Sequence, residues 1–515
     1  MLWIDVNTGC NFWEYTVRNK IQVAYLLGVT VAFLGGIGPA RAQGPEPVSA
    51  AASSAGFLLL LPLGLILLTS SALPNAERDA PRTTTTALVV WAMAALAYFG
   101  AGFAFQFGGL AVGNPHPDFA ELYWNWSPLS ESFGTGWGVI GLRGWALLNG
   151  AATPGVYDLF LRHLALLGVV TTIPCFILYR RLNAWGMLLF GIISGTFIYP
   201  LVGNWIWSSG WLASLGLTLG LGHGFVDAGI ATPFALAGVI CLAALLAFQE
   251  AETAPETREP ATQERPAADF VETPMPAAYL PLLSFSGLVI VLWSWAFIAG
   301  AAHIPTATTI AMPRAALNGI LSALAAGLSA ALYSRFTTTR FNPLMTTRGA
   351  VAGLVLSSTV APFIPPWQAI LVGLVGGGLV PPLIYVVDHI LKLADHTASV
   401  ALFALMGPLA WLLPAFLADG SSGVGWNRVG ETSYLGVEGQ GVSGLIVASG
   451  YASDWPGQFN AQILGAVAIF AWTFLLSFGL FKGYIWLASL WPGQDLEAGT
   501  GSVRDSEAAD EPRTA

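Results

Sequence analysis

Side chains able to do chemistry are scarce in this sequence, so the few that border apolar stretches matter most. Asp158 and Arg162 stand four residues apart, which on a helix places them on one face, able to pair. The plain expectation is a snorkelling interfacial ion pair. The sharper one sets Arg162 at the mouth of a pore. His163, beside it, points off that face and reads as structural, while His116, His303, His389 and His396 fall in loops or at helix ends. None of these has a ligand partner at metal spacing such as i, i+4, so no metal site is expected. Cys175 and Cys241 lie inside apolar runs and Cys10 precedes a candidate cleavage site, which leaves no disulfide framework and no thiol chemistry. Neither a Ser-His-Asp arrangement nor a phosphate-cradling loop is present. The run Gly376-Gly377-Gly378 sits within an apolar stretch, where small residues let helices approach closely. We therefore expect neither an enzyme nor a cofactor.

The elements that carry these residues are set by composition. Of 515 residues 55% are hydrophobic and only 10% charged, against roughly 25% charged in soluble proteins. The mean hydropathy is +0.65. Such a chain needs lipid. The net charge of -9 comes largely from two acidic stretches, 249–272 and the tail after 493, both reading as solvated segments, so no nucleic-acid partner is implied. A bilayer core needs about 20 apolar residues per helix. Candidate spans lie at 56–73, 86–108, 157–178, 184–203, 229–248, 277–299, 313–333, 347–363, 366–387, 397–418 and 461–486. The fold class is thus an all-α polytopic membrane protein with about eleven transmembrane helices.

At the N-terminus Arg18 and Lys20 precede the apolar run Ile21 to Gly38, which ends in Ala40-Arg41-Ala42. This is the pattern of a secretory signal, 1–42 including an upstream extension, with an uncleaved first helix as the alternative. The transmembrane domain then covers 43–488, and 489–515 forms a disordered cytoplasmic tail. Basic residues alternate between loops. Arg78, Arg82, Arg180, Arg181, Arg258, Arg265, Arg335, Arg340 and Lys392 follow odd-numbered spans, with Lys482 at the final exit, while even-numbered spans are followed only by Arg143 and Arg428, with Arg314 at the mouth of span seven. The positive-inside rule then predicts an inner (plasma) membrane protein, N-terminus outside and C-terminus cytoplasmic. The apolar centres of the spans carry no Asp, Glu, Lys, Arg or His. This argues against proton pumps, proton-coupled antiporters and retinal proteins, and favours a path for something small and nearly uncharged.

The stretch Tyr199-Pro200-Leu-Val-Gly-Asn204-Trp205-Ile-Trp207-Ser-Ser-Gly210-Trp211-Leu-Ala, followed by Gly224-Phe-Val-Asp227-Ala-Gly229, resembles the ammonium transporter family (Amt, Mep and Rhesus proteins). Further matches follow in order: Leu280-Pro281-Leu282 with Phe297-Ile298-Ala299-Gly300, Asn342-Pro343 leading to Arg348-Gly349-Ala350-Val351-Ala352-Gly353, and Gln462-Ile463-Leu464-Gly465 leading to Ala471-Trp472. The resemblance covers about 56–488 and implies a homotrimer, each subunit with a narrow pore between two inverted pseudo-repeats of about five helices. It also implies an outer site where an aromatic cage holds ammonium, by cation-π attraction of about 0.5 to 2 kcal/mol. Ammonia would then pass a Phe pair and two pore histidines. On this resemblance Trp207 matches the cage Trp, Phe297 the inner gate Phe, and Asp227 the Asp that organises the turn before span five and caps its helix.

Departures from the family pattern are as informative. The outer gate Phe aligns with Leu166 and the recruiting Ser with Ala301. The first pore His aligns with Ala235, or with Phe234 on a shift of one residue, and the second with Phe403. The Gly-rich signature of span one is replaced by Gly64-Leu-Ile-Leu-Leu-Thr-Ser-Ser71, and the tail lacks the family's acidic end. Removing the His pair takes away the polar partners a proton needs midway, so charge movement should fail. A lone Arg162 at the mouth would repel ammonium by about 1 kcal/mol or more unless Asp158 cancels it. Two functions follow: a channel for ammonium, ammonia or another small gas with a degenerate pore, or a non-conducting family-derived sensor or structural partner.

Overall fold

The computed structural model describes residues 56–133, 137–148, 150–227, 231–253, 279–298 and 312–490. The leader and the tail expected from the sequence lie outside the described residues. The helices are α1 (Leu60–Ser70), α2 (Ala76–Ala97), α3 (Pro154–Leu178), α4 (Ala184–Trp207), α5 (Ala231–Thr253), α6 (Leu280–Ile298), α7 (Met312–Thr338), α8 (Pro343–Ser357), α9 (Pro366–Ile390), α10 (Val400–Leu417) and α11 (Gly457–Ser489). Helix α2 runs on through the π-helical turn Tyr98–Gly102 into Phe103–Phe107. Among the described residues eight helices are long and apolar enough to cross a membrane. The stretches expected near 56 and 347 fold as the shorter α1 and α8, and of the stretch expected at 277–299 the structure describes α6, Leu280–Ile298.

Apart from the polar first half of α2, these helices are largely apolar around their circumference, as lipid or a crowded interior requires. Burial sorts them: the apolar windows of α3 and α5 are 83% and 89% buried, those of α2 and α11 only 33% and 28%. Helices α3 and α5 therefore form the centre, and α2 and α11 present apolar surface outward. Starts are fixed by caps. Asn183 accepts from the Gly186 N–H at 2.9 Å and Asn342 from that of Met345 at 3.2 Å, the latter with Pro343 at the first helical position.

Close packing rests on glycine. A Cβ at Gly64 would stand 2.9 Å from the Gly287 carbonyl oxygen, so α1 and α6 meet backbone to backbone despite the altered span-one signature. Helix α9 lies on α7 in the same way: a Cβ at Gly373 or Gly377 would approach the carbonyl oxygens of Ser322 or Ala326 to 2.2 and 2.0 Å.

Two long loops share one face of the bundle, since the guanidinium of Arg428 from the second approaches Gly113 near the start of the first. The first folds over its own short hairpin, Asn125–Trp126 against Ile140–Gly141, and Trp205 Nε1 donates to the Val139 carbonyl at 2.9 Å. The second is tethered by Arg314. Its guanidinium donates to Asp419 Oδ2 at 2.6 Å, to the hydroxyls of Ser421 and Ser422, and to the Ile364 carbonyl. A basic residue on this face thus has a structural reason that loop charge counting does not reveal.

Candidate functional site: a buried aromatic cluster and a ring stack

Trp207 is the last residue of α4 and lies 6% exposed under the loop face. Its ring centroid stands 5.3 Å from that of His163 and 6.1 Å from that of Tyr199. His163, on α3, is 1% exposed, deep among the rings and off the face that carries Asp158 and Arg162. Its Nδ1 lies 2.6 Å from the Tyr199 hydroxyl and 3.0 Å from Gln106 Nε2, while Gln106 Oε1 accepts from the Tyr98 hydroxyl at 2.8 Å. With its oxygen so engaged, Gln106 turns an NH₂ to the imidazole, so Nδ1 accepts and the ring proton sits on Nε2. Nε2–H makes no hydrogen bond among the described residues. The network spans three helices. Gly203 makes room for it, since a Cβ there would stand 2.3 Å from Gln106 Nε2.

Leu166, one turn along α3 from His163 and 1% exposed, continues this apolar face inward. Deeper in the bundle Phe234 of α5 and Phe403 of α10 stack with centroids 5.4 Å apart and planes 11° from parallel. Both are buried. The helices touch on either side of the rings: a Cβ at Gly238 would meet Ala404 N at 2.1 Å, and one at Gly407 would meet the Ala235 Cβ at 2.5 Å. Ala235 therefore faces the α10 backbone, and the neighbouring Phe234 makes the ring contact.

Asp227 lies wholly buried before α5, and its Oδ2 accepts from the Thr232 N–H at 2.9 Å and from the Thr232 hydroxyl. Arg162 Nε and Asp158 Oδ2 are 2.7 Å apart, so the carboxylate offsets the charge of that arginine. Phe297 is the penultimate residue of α6. Ala301 and His303 lie outside the described residues. Among the described residues no cluster of three or more His, Cys, Asp or Glu could hold a metal.

Sequence reasoning missed three groups here. Gln106 and Tyr98 become visible only when the helices assemble. The third is His223, fully buried in the loop before α5, with both ring nitrogens unpartnered and its ring 4.4 Å from that of Tyr434. Burial lowers its pKa from 6.5 to about 4. A depressed folded pKa means a stabilising contribution that is complete above 6.5 and lost as pH falls towards about 4. Burial acts oppositely on Asp454, which accepts from the Tyr434 hydroxyl and is raised to about 6. We expect His223→Phe to recover about 3 kcal/mol of stability at the acid end relative to the parent chain. Melting temperatures of the detergent-solubilised protein across that pH range check this, and parallel curves for the two proteins contradict it.

Apolar helices of membrane length packed around buried groups beneath a loop-covered face define a polytopic membrane protein. Residues 51–491 match the family model described as Ammonium Transporter Family. The chain belongs to that family. It is 25% identical over 397 residues to "Ammonium transporter Amt2" of Archaeoglobus fulgidus, covering 76% of this chain and 73% of that protein. It is 26% identical over 268 residues to "Ammonium transporter 3" of Dictyostelium discoideum, covering 51% and 57%. Among solved structures, "Sensor Amt Protein" superposes with a TM-score of 0.59 at 18% identity, covering 84% of this chain and 91% of that one. Saccharomyces cerevisiae Mep2 does so with a TM-score of 0.60 at 17% identity, covering 86% and 87%.

Proposed function

We propose that this chain is a channel for ammonia in its neutral form, with a pore whose twin histidines have given way to phenylalanine. The observation that carries this reading is the Phe234–Phe403 stack, which offers no lone pair and no proton donor where charge would have to cross. Nearer the loop face, Trp207 presents a ring to an arriving cation, and His163 Nε2–H is a donor for the ammonia lone pair. Arg428 at the same face opposes entry of the cation itself and leaves the neutral base unaffected. In this reading Leu166 lines the path between the loop face and the ring stack, and Asp227 holds the start of α5. The chain crosses an inner (plasma) membrane about eleven times, with its N-terminus outside after removal of a leader at 1–42 and its C-terminal tail in the cytoplasm. Three copies assemble, each with its own pore between inverted halves.

The test is a stopped-flow ammonium jump on proteoliposomes with a pH dye inside, run beside current recording on a supported membrane. We expect fast internal alkalinisation without current. A current above that of empty liposomes overturns the neutral-path reading. Absence of both signals favours the second reading, a non-conducting sensor or structural partner, to which the tight packing around the same ring stack lends support.

A further inference from the structure

We propose that the cleft beneath the second loop, between Trp207 and Arg428, is a binding site for one small monovalent anion of halide size. The cleft has a volume of about 30 Å³ and is lined by Gly113, Trp207, Ser209, Ser214, Asn427 and Arg428, with Ala213 at its edge. About one water-sized or halide-sized occupant fits such a space. Its chemistry is set by one buried N–H and one guanidinium. Trp207 Nε1, on a side chain 6% exposed, is buried with no partner. Arg428 makes no ion pair and no side-chain hydrogen bond among the described residues, unlike Arg162 and Arg314, each of which has a carboxylate. No acidic residue lines the cleft.

The Ser209 carbonyl already accepts from the Ser214 hydroxyl at 3.5 Å, and Asn427 spends its Nδ2 donor on the carbonyls of His223 and Phe225. A cation meets an uncompensated guanidinium here, and a lone water leaves that charge uncompensated. An anion satisfies both the unpartnered Trp207 N–H and the charge. Ser209, Asn427 and Arg428 around the cleft all have left-handed φ, at +55°, +52° and +64°. The proposal does not depend on which species crosses the membrane. It adds a role for the mouth, since anion occupancy neutralises Arg428 and makes the approach to Trp207 less hostile to cations.

Bromide is the probe, because its anomalous scattering locates it directly. Crystals of the full chain soaked in sodium bromide are expected to show an anomalous peak within the Trp207–Arg428 cleft, and crystals of Arg428→Gln to lack it. An empty cleft in the wild-type soak overturns the proposal, as does a peak that persists in Arg428→Gln. The wild-type measurement decides the matter by itself if that variant fails to fold. Because the readout is position rather than flux, failure here is distinct from failure of the ammonia reading.

Discussion

Replacing Phe234 and Phe403 together by alanine is expected to speed ammonia entry into proteoliposomes by about tenfold or more, equivalent to about 1.4 kcal/mol off the barrier. The same change should lower stability by about 3 to 5 kcal/mol per ring. Both effects have one origin. The rings are buried and stacked at 5.4 Å, and the helices bearing them are in backbone contact at Gly238 and Gly407, so the surroundings cannot collapse into the space the rings leave. What destabilises the fold is what widens the path. The stopped-flow assay reads the flux and thermal unfolding in detergent reads the stability. Unchanged flux from a folded double variant means that the path does not run between α5 and α10.

Gln462→Leu is expected to lose about 3 to 5 kcal/mol, because three buried backbone groups lose their partner at once. On α11 the Gln462 side chain reads the loop backbone as a strand would: Oε1 accepts from the Val226 N–H at 2.8 Å, while Nε2 donates to the Val226 carbonyl at 2.9 Å and to the Trp411 carbonyl at 2.5 Å. One turn earlier Gln458 does the same, accepting from the His223 N–H and donating to the Gly224 carbonyl. This pair holds the loop that ends in Asp227, so its loss also loosens the start of α5. Gln462→Glu should be nearly as damaging as Gln462→Leu, since a carboxylate keeps the acceptor but has no N–H for the two carbonyls. Thermal melts of both variants check this, and a loss below about 1 kcal/mol in either excludes the clamp.

The helices were legible because an apolar run of membrane length has few alternatives in lipid, and the caps at Asn183 and Asn342 sit where side-chain chemistry puts them. The family was legible from Trp205, Trp207, Asp227 and the glycine and proline residues that follow in order. The site was legible only in part. Whether Ala235 or Phe234 matches the first pore histidine is a question of one residue of helix rotation that sequence spacing leaves open; in the folded chain it is Phe234 that stacks on Phe403. The link from Tyr98 through Gln106 and His163 to Tyr199 joins residues up to 101 positions apart, and no local periodicity encodes such a meeting. Arg314 and Arg428 look alike as loop-side basic residues, yet one ties Asp419 in place and the other stands without a carboxylate. Only the folded chain separates them.

The stacked rings at the centre also bear on the energetics of the membrane that holds this protein. A slab of aromatic carbon is an electrical insulator, and a path that admits only an uncharged base leaves the transmembrane voltage intact. Ammonium on the two sides would then be set by the pH difference alone, about tenfold for each unit, and not by the potential. Such a cell could equilibrate its nitrogen supply rapidly, but it would accumulate ammonium only as far as its interior is more acidic than its surroundings.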